Sequence, residues 1–229
     1  MINKFPKIIF FSALIIIIAA GIFLFFINKK INSAPVSVAK NIIATNTPVT
    51  ASSSVENISA APKKLIAEPI SNALARITKK PFGIYVRPGH SPVSPERFTG
   101  YHTGVDFETY ASETDAVVPV YAICTGTLAI KEMARGYGGM AAERCKISGQ
   151  DVTVVYGHIK LASVATKVGE RLTAGEQLAI LGKGYSTETD GERKHLHLGI
   201  HKGAVINTGG YVSTAAELSG WIDAEKLLK

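Results

Sequence analysis

The sequence contains few cysteines and little tryptophan, with two Cys and one Trp among 229 residues. Cys124 and Cys145 occur in neither a Cys-x-x-Cys motif nor a zinc-finger spacing, which argues against a cysteine-based metal site. In an exported domain they would form a disulfide between neighbouring strands, and two separately buried thiols are the alternative. The spacing alone leaves that choice open.

The second part of the chain also lacks a surplus of basic residues. Residues 1–80 contain ten Lys or Arg and two Asp or Glu, whereas residues 81–229 contain fifteen and sixteen. A net charge of −1 over residues 81–229 gives no basis for nucleic-acid binding. The basic N-terminal part would instead be attracted to anionic lipid or to an anionic wall polymer.

Long apolar runs are absent apart from residues 8–27, which carry no charge. Twenty residues of helix match a bilayer core of about 30 Å. We therefore predict an N-terminal membrane anchor over residues 1–31, with a transmembrane helix at about 8–27. A cleaved signal peptide is the alternative, since Ser37–Ala39 fits a cleavage site, but the run is longer than the apolar core of about 7–15 residues in such signals.

The lysines on the two sides of this run nearly balance, so they do not fix its orientation. The very short N-terminal tail favours a tail that stays inside. The predicted location is the cell membrane, as a single-pass protein with its C-terminal domain outside the cytoplasm. Secretion after signal cleavage is the alternative.

Two connecting segments follow the anchor. Residues 32–64 are rich in Ser, Ala, Thr, Asn and Pro and contain no aromatic residue, which is typical of a disordered linker. Residues 65–80 are predicted to form a short connecting helix with Ile70, Leu74 and Ile77 on one side.

From residue 81 onward the sequence is divided into short strand-like segments separated by turn residues. Strands are predicted within residues 117–130, 151–156, 178–181 and 195–200. The one longer helical pattern is Ala215–Leu228. This arrangement predicts a mostly antiparallel β domain over residues 81–229.

The strand at residues 195–200 has two chemically different faces. His195 and His197 point to one side, whereas Leu196, Leu198 and Ile200 point to the other. Two imidazoles about 6–7 Å apart along a strand can both reach one metal ion or one bound water. A histidine pair alone is often only a surface feature, so the interpretation depends on partners elsewhere.

Two other segments supply such partners. His102 and Asp106 form a His-x-x-x-Asp pair that would be about 13 Å apart in a straight strand, and Gly104 between them favours a bend. His158 follows Tyr156 and Gly157 at the end of a β-branched strand. Chance would rarely supply these segments and the His-x-His strand, in this order, within one small β domain.

These segments resemble the lysostaphin/LytM-type zinc metallopeptidases of peptidase family M23, which cut peptide bonds in bacterial peptidoglycan. The resemblance extends from about Pro81 to Ile222. It includes residues 100–107 and residues 168–182, which are similar to the family's V-x-x-G-x-x-V-x-x-G-x-x-I-G hairpin. It implies a mainly β domain of the lysostaphin/LytM type, a duplicated hybrid motif.

By matching positions, the resemblance implies one Zn²⁺ bound by His102, Asp106 and His197. His158 and His195 would be the unligated catalytic histidines. The implied activity is zinc-dependent hydrolysis of cross-links or stem-peptide bonds, with peptidoglycan peptide as substrate and zinc activating a water.

Two other functions are alternatives to this one. A non-catalytic wall-binding or hydrolase-activating LytM-like domain would typically lack zinc ligands, whereas this chain keeps the whole set. A carboxypeptidase of a related zinc group has a differently spaced first motif. The chain departs from the family in its charged segment at residues 183–194, and His201 is interpreted as a residue at the rim of the cleft.

Overall fold

The computed structural model describes residues 65–229. The predicted anchor, its transmembrane helix at 8–27 and the linker at 32–64 therefore lie outside the described residues. Within residues 65–229, none of the helices has the length and apolar character needed to span a bilayer. The strands and the α-helix of this part are β1 (Tyr85–Val86), β2 (Gly100–His102), β3 (Gly104–Glu108), β4 (Pro119–Tyr121), β5 (Gly126–Ala134), β6 (Gly138–Ile147), β7 (Gln150–Gly157), β8 (Arg171–Leu172), β9 (Gln177–Ile180), β10 (His195–Lys202), β11 (Tyr211–Val212) and α1 (Ala224–Leu228).

The largest sheet has six antiparallel strands in the order β3-β10-β7-β6-β5-β8. Strand β10 lies between β3 and β7, and His197 is paired with Asp106 on one side and Gly157 on the other. This register places the histidine strand beside both of the other candidate segments. The prediction of a mainly antiparallel β domain is confirmed.

Two smaller sheets complete the domain. One has the order β1-β2-β11, and the other pairs β4 with β9. Strands β2 and β3 are separated by Thr103 alone and belong to different sheets. The chain therefore passes from one sheet to another between His102 and Asp106.

The main core lies against one face of the six-stranded sheet. Leu196, Leu198 and Ile200 of β10 are fully buried there, as the alternation predicts. The opposite face of β7 is also covered, because Thr153 and Val155 are 0% and 1% exposed. The central strands are thus buried on both faces, and the histidine side of β10 faces a cleft instead of open solvent.

The segment preceding the sheets is less helical than the periodicity indicates. Within residues 65–80 the helical part is a single 3₁₀ turn at Ala73–Arg76. Ile70 is buried in the main core, whereas Leu74 is 40% exposed. This segment packs directly on the domain.

The predicted helix over Ala215–Leu228 is not continuous. A 3₁₀ helix at Ala215–Gly220 is followed by Trp221, which is buried and bridges to His201 of β10. Helix α1 then begins anew, because Asp223 accepts a hydrogen bond from the Glu225 amide at 3.1 Å. The bridge to the sheet edge interrupts the helical pattern.

The segment 168–182 also differs from the expected hairpin. Strand β8 pairs with β5, whereas β9 pairs with β4, so its two strands belong to different sheets. The two cysteines are paired, a question that their spacing in the sequence leaves open. Cys124, in the loop before β5, forms a disulfide with Cys145 on β6.

Candidate metal centre

Three polar atoms meet at the base of the cleft. His102 ends β2, Asp106 lies on β3 and His197 lies on β10, and all three side chains are buried. His102 Nε2 lies 3.0 Å from His197 Nδ1 and 3.3 Å from Asp106 Oδ1, and the remaining pair is 3.2 Å apart. Around a tetrahedral zinc with bonds of about 2.0–2.1 Å, donor atoms lie roughly 3.3 Å from one another. The donor types and their spacing therefore fit a zinc ion.

Main-chain carbonyl groups set the tautomers of three histidines. A carbonyl oxygen can only accept, so the ring Nδ1 facing it carries the hydrogen. His102 donates to Pro81 O at 3.3 Å, His158 to Thr189 O at 3.3 Å and His195 to Arg193 O at 2.8 Å. In the neutral form, each of these rings keeps the lone pair on Nε2.

Close packing explains Gly104, which lies between His102 and Asp106. A Cβ atom at this position would lie 2.7 Å from His197 Cε1 and 2.6 Å from Leu198 O. The glycine thus leaves room for the ring of His197. The change of direction between the two motif residues falls at Thr103, where β2 ends and β3 begins.

His195 and His158 lie beside the three-atom cluster. Their ring centroids are 4.2 Å apart, and His195 Nε2 lies 3.3 Å from Asp106 Oδ2. His158 has a φ of 62°, the left-handed conformation that few non-glycine residues adopt. This conformation ends β7, and such an outlier in a cleft is typical of a functional position.

Burial and neighbouring charges favour a neutral His197, a neutral His158 and an ionised Asp106. Burial lowers the pKa of His197 to about 4 and that of His158 well below its ordinary value. Burial opposes ionisation of Asp106, but His195 and His102 outweigh it and hold the pKa of that carboxyl well below its usual range. Neutral imidazole and ionised carboxylate are the forms that bind metals.

Comparison with known families agrees with this geometry. Residues 100–212 match the model of Peptidase family M23. Residues 100–212 of the chain belong to this family. No curated protein gives a significant match.

We call residues 65–229, which include the matched segment, the M23 domain. Several solved structures are similar to part of this chain. LytU is 25% identical over 67% of this chain and 90% of its own, with a TM-score of 0.43. The catalytic domain of lysostaphin from Staphylococcus simulans is 20% identical over 68% of this chain and 94% of its own, with a TM-score of 0.45. Csd3 of Helicobacter pylori is 21% identical over 65% of this chain and 35% of its own, with a TM-score of 0.41.

The M23 domain brings all five predicted site residues to one cleft with a volume of about 330 Å³. Asp106, His158, His195 and His197 line it, and His102 lies beneath it against His197. The individual roles of these five residues stay predictions. His201 is separate, because its ring packs on Trp221 with centroids 4.9 Å apart.

Tyr137 and Tyr211 form walls of the cleft that the sequence analysis did not identify. The Tyr137 ring lies 5.2 Å from that of His197 and 5.9 Å from that of His158, and its hydroxyl donates to Thr208 O at 2.9 Å. The Tyr211 ring lies 5.3 Å from that of His102. A signal for Tyr137 is present in the sequence, because this aromatic residue follows Gly136 in the turn after β5 and precedes the two glycines that begin β6.

Arg193 is a further residue of the cleft that the sequence analysis did not identify. Its side chain lines the cleft and contacts Asp106, and its carbonyl oxygen accepts the hydrogen bond from His195. The charged character of residues 183–194 is a departure from the family, but charge alone does not indicate which side chain faces the site.

Proposed function

We propose that this chain is a zinc-dependent endopeptidase that hydrolyses cross-links or stem-peptide bonds of bacterial peptidoglycan. The observation that carries the proposal is the triangle of two imidazole nitrogens and one carboxylate oxygen, 3.0–3.3 Å apart, next to two further histidines. Three protein donors leave an open position, as in catalytic zinc sites. Family membership supports the choice of a peptidase.

His102, Asp106 and His197 would hold the zinc, through Nε2, Oδ1 and Nδ1 respectively. Bound zinc supplies Lewis acidity and brings the pKa of a bound water to about 7. The hydrogen bond from His102 Nδ1 to Pro81 O orients this ring with its lone pair toward the cluster.

His195 and His158 would handle protons during peptide hydrolysis. The lone pair on Nε2 of each ring can accept a proton from the attacking nucleophile, and the protonated ring can pass it to the leaving amine. The depressed pKa of His158 keeps this ring neutral and able to accept near pH 7. Tyr137 and Tyr211 border the same cleft and shield it from bulk water.

The complete donor set favours a hydrolase over the non-catalytic alternative, a wall-binding or hydrolase-activating domain. A binding module has no need of an ionised carboxylate and two imidazoles buried at 1–4% exposure. We also propose that the apolar run at 8–27 anchors the chain in the cell membrane with the M23 domain outside the cytoplasm.

Metal analysis combined with a peptidoglycan digest tests this function. His102→Ala, Asp106→Ala or His197→Ala is expected to abolish stoichiometric zinc in the purified full chain. His195→Ala or His158→Ala is expected to retain zinc and to lower turnover by about 10²–10⁴-fold, the usual contribution of a general acid or base.

His201→Gln is the matched control, because His201 lies on β10 but faces Trp221 instead of the cleft. It should retain both zinc and turnover. A wild-type chain without zinc, or full activity in His195→Ala, would contradict the proposal. Mass analysis of the products would identify the bond that is cut.

A further inference from the structure

Arg193 lies between two carboxylates of β3. Its Nη2 donates to Asp106 Oδ2 at 2.9 Å, and its Nε donates to Glu108 Oε2 at 2.9 Å and to Oε1 at 3.0 Å. The Arg193 side chain is 11% exposed, and those of Asp106 and Glu108 are 3% and 10% exposed. These are charge-assisted bonds in a water-poor environment, where such bonds are strongest.

The alternation of β3 explains why a cation is needed here. Asp106 and Glu108 are two residues apart on one strand, so both carboxylates point to the same face. Two buried anions this close repel each other, and one guanidinium fork compensates both. Burial opposes the charge on Arg193, but Glu108 and Asp106 outweigh it and raise the pKa of Arg193.

The two oxygens of Asp106 have different partners. Oδ1 faces His102 Nε2 and His197 Nδ1, whereas Oδ2 accepts from Arg193 and lies 3.3 Å from His195 Nε2. The guanidinium therefore occupies one oxygen and leaves the other directed at the cluster. Because Glu108 binds the same guanidinium through both carboxylate oxygens, the position of Arg193 is itself fixed.

The main chain of Arg193 contacts a second site residue. Its carbonyl oxygen accepts from His195 Nδ1 at 2.8 Å, which leaves the lone pair of His195 on Nε2. One residue thus restrains a candidate metal ligand with its side chain and a candidate catalytic histidine with its backbone. Tying the side chain to β3 also restrains the backbone carbonyl.

We propose that Arg193, held by Glu108, is a positioning residue that presents Asp106 Oδ1 to the metal and fixes the orientation of His195. The inference rests on the proposed function, since it requires that the cluster binds zinc. Partners of metal ligands typically change metal affinity or activity by about 10–100-fold when removed.

A charge-balanced double variant separates positioning from electrostatics. Arg193→Met alone would leave Glu108 with only the half-exposed Lys79, 3.5 Å away, as an ion-pair partner and make the site more negative, which by itself favours a cation. Arg193→Met combined with Glu108→Gln removes one charge of each sign and leaves the net charge unchanged. Any loss of zinc affinity then reports on the orientation of Asp106.

The experiment measures the zinc dissociation constant of the full chain by competition with a chelator. The double variant is expected to bind zinc about 10–100-fold more weakly. Loaded with cobalt, it should also show a visible absorption spectrum different from that of the wild type. Arg193→Lys, which keeps the charge but loses the planar fork, should show a smaller loss of affinity.

Arg97→Met is the matched control. Arg97 donates to Glu192 at 2.8 Å and to Asp190, in the segment just before Arg193, but makes no contact with the metal cluster. It should bind zinc and cobalt like the wild type. The melting temperature of each metal-free variant shows whether the fold is retained.

The outcomes separate this inference from the proposed function. If the wild type binds zinc but the folded double variant has the same zinc affinity and cobalt spectrum, the positioning role is overturned. If the double variant does not fold, wild-type zinc affinity and cobalt spectrum in Arg193→Lys overturn it. A wild type that binds no zinc contradicts the proposed function itself.

Discussion

At the scale of single residues, the buried carboxyl of Glu143 on β6 differs from the buried groups of the cleft, because it does not line the cleft and has no cationic partner among the described residues. It is fully buried, accepts a hydrogen bond from the Tyr156 hydroxyl at 2.9 Å, and its Oε2 has no partner among the described residues. Burial, only partly offset by the hydrogen bond from Tyr156, raises the pKa of Glu143 to about 7.

This carboxyl predicts a pH-dependent stability. Between pH 4.5, its ordinary pKa, and pH 7 the folded chain keeps a proton that the unfolded chain has lost. The free energy of unfolding therefore falls as the pH rises through this window, by about 3 kcal/mol in total. Glu143→Gln, which is always neutral and still offers a carbonyl oxygen to Tyr156, should abolish this loss.

The measurement is thermal unfolding of the metal-free chain at pH 4.5 and pH 8. Glu143→Gln should melt several degrees above the wild type at pH 8, with a much smaller gap at pH 4.5. Glu132→Gln, at an exposed position on β5, is the control for the loss of a carboxylate. Parallel pH profiles for wild type and Glu143→Gln would contradict the prediction.

Single residues also show how far the sequence could specify the site. The types and order of His102, Asp106, His158, His195 and His197 were sufficient to identify the cluster through a family resemblance. The sequence could not reveal the left-handed φ of His158 or the contact of Gly104 with the His197 ring. Both depend on neighbours that are distant in sequence and meet only when β3, β7 and β10 pair.

At the scale of elements, the disulfide joins the loop before β5 to β6. It links Cys124 and Cys145 across 21 residues of sequence, within the main core and away from the cleft. A cross-link over a loop of this size stabilises the folded state by about 3 kcal/mol, chiefly by restricting the unfolded chain.

The double variant Cys124→Ser, Cys145→Ser should lose about this much free energy of unfolding in urea while retaining stoichiometric zinc. Reductant should lower the midpoint of the wild type toward that of the variant and leave the variant unchanged. Equal midpoints for the oxidised wild type and the variant would show that the cross-link adds no stability.

The strands themselves were predictable from alternation, but their partners were not. The periodicity of β10 correctly assigned its leucines to the core and its histidines to the cleft. Periodicity carries no information on pairing, so the separation of β8 and β9 into different sheets was missed. The interrupted C-terminal helix has the same cause, because Trp221 pairs with the sheet edge through a long-range contact.

At the scale of the whole molecule, the charge is divided unevenly along the chain. Residues 1–64 carry a net charge of +6, and residues 65–229 carry +1. Arg76, Lys79 and Lys80 are counted with residues 65–229, because they form ion pairs with acidic residues of the domain. Basic residues beside an apolar run are attracted to anionic membrane surfaces by about 1 kcal/mol each. The M23 domain has almost no net charge, so substrate binding by this domain would depend on contacts in the cleft and not on long-range electrostatic attraction.

The proposed anchor gives the last prediction. The full chain, produced in bacterial cells, should stay with the membranes after an alkaline carbonate wash, because a helix of about 20 apolar residues partitions into the bilayer core. A chain lacking residues 1–31 should be washed off. If the run is instead a cleaved signal, the wild type should also be washed off, with a mass that corresponds to a start near Ala39.

A second experiment tests the side of the membrane on which the M23 domain lies. External protease added to cells stripped of their outer layers should digest the M23 domain, since we propose that it lies outside the cytoplasm. Protection under these conditions would contradict export, and with it the access of the cleft to peptidoglycan.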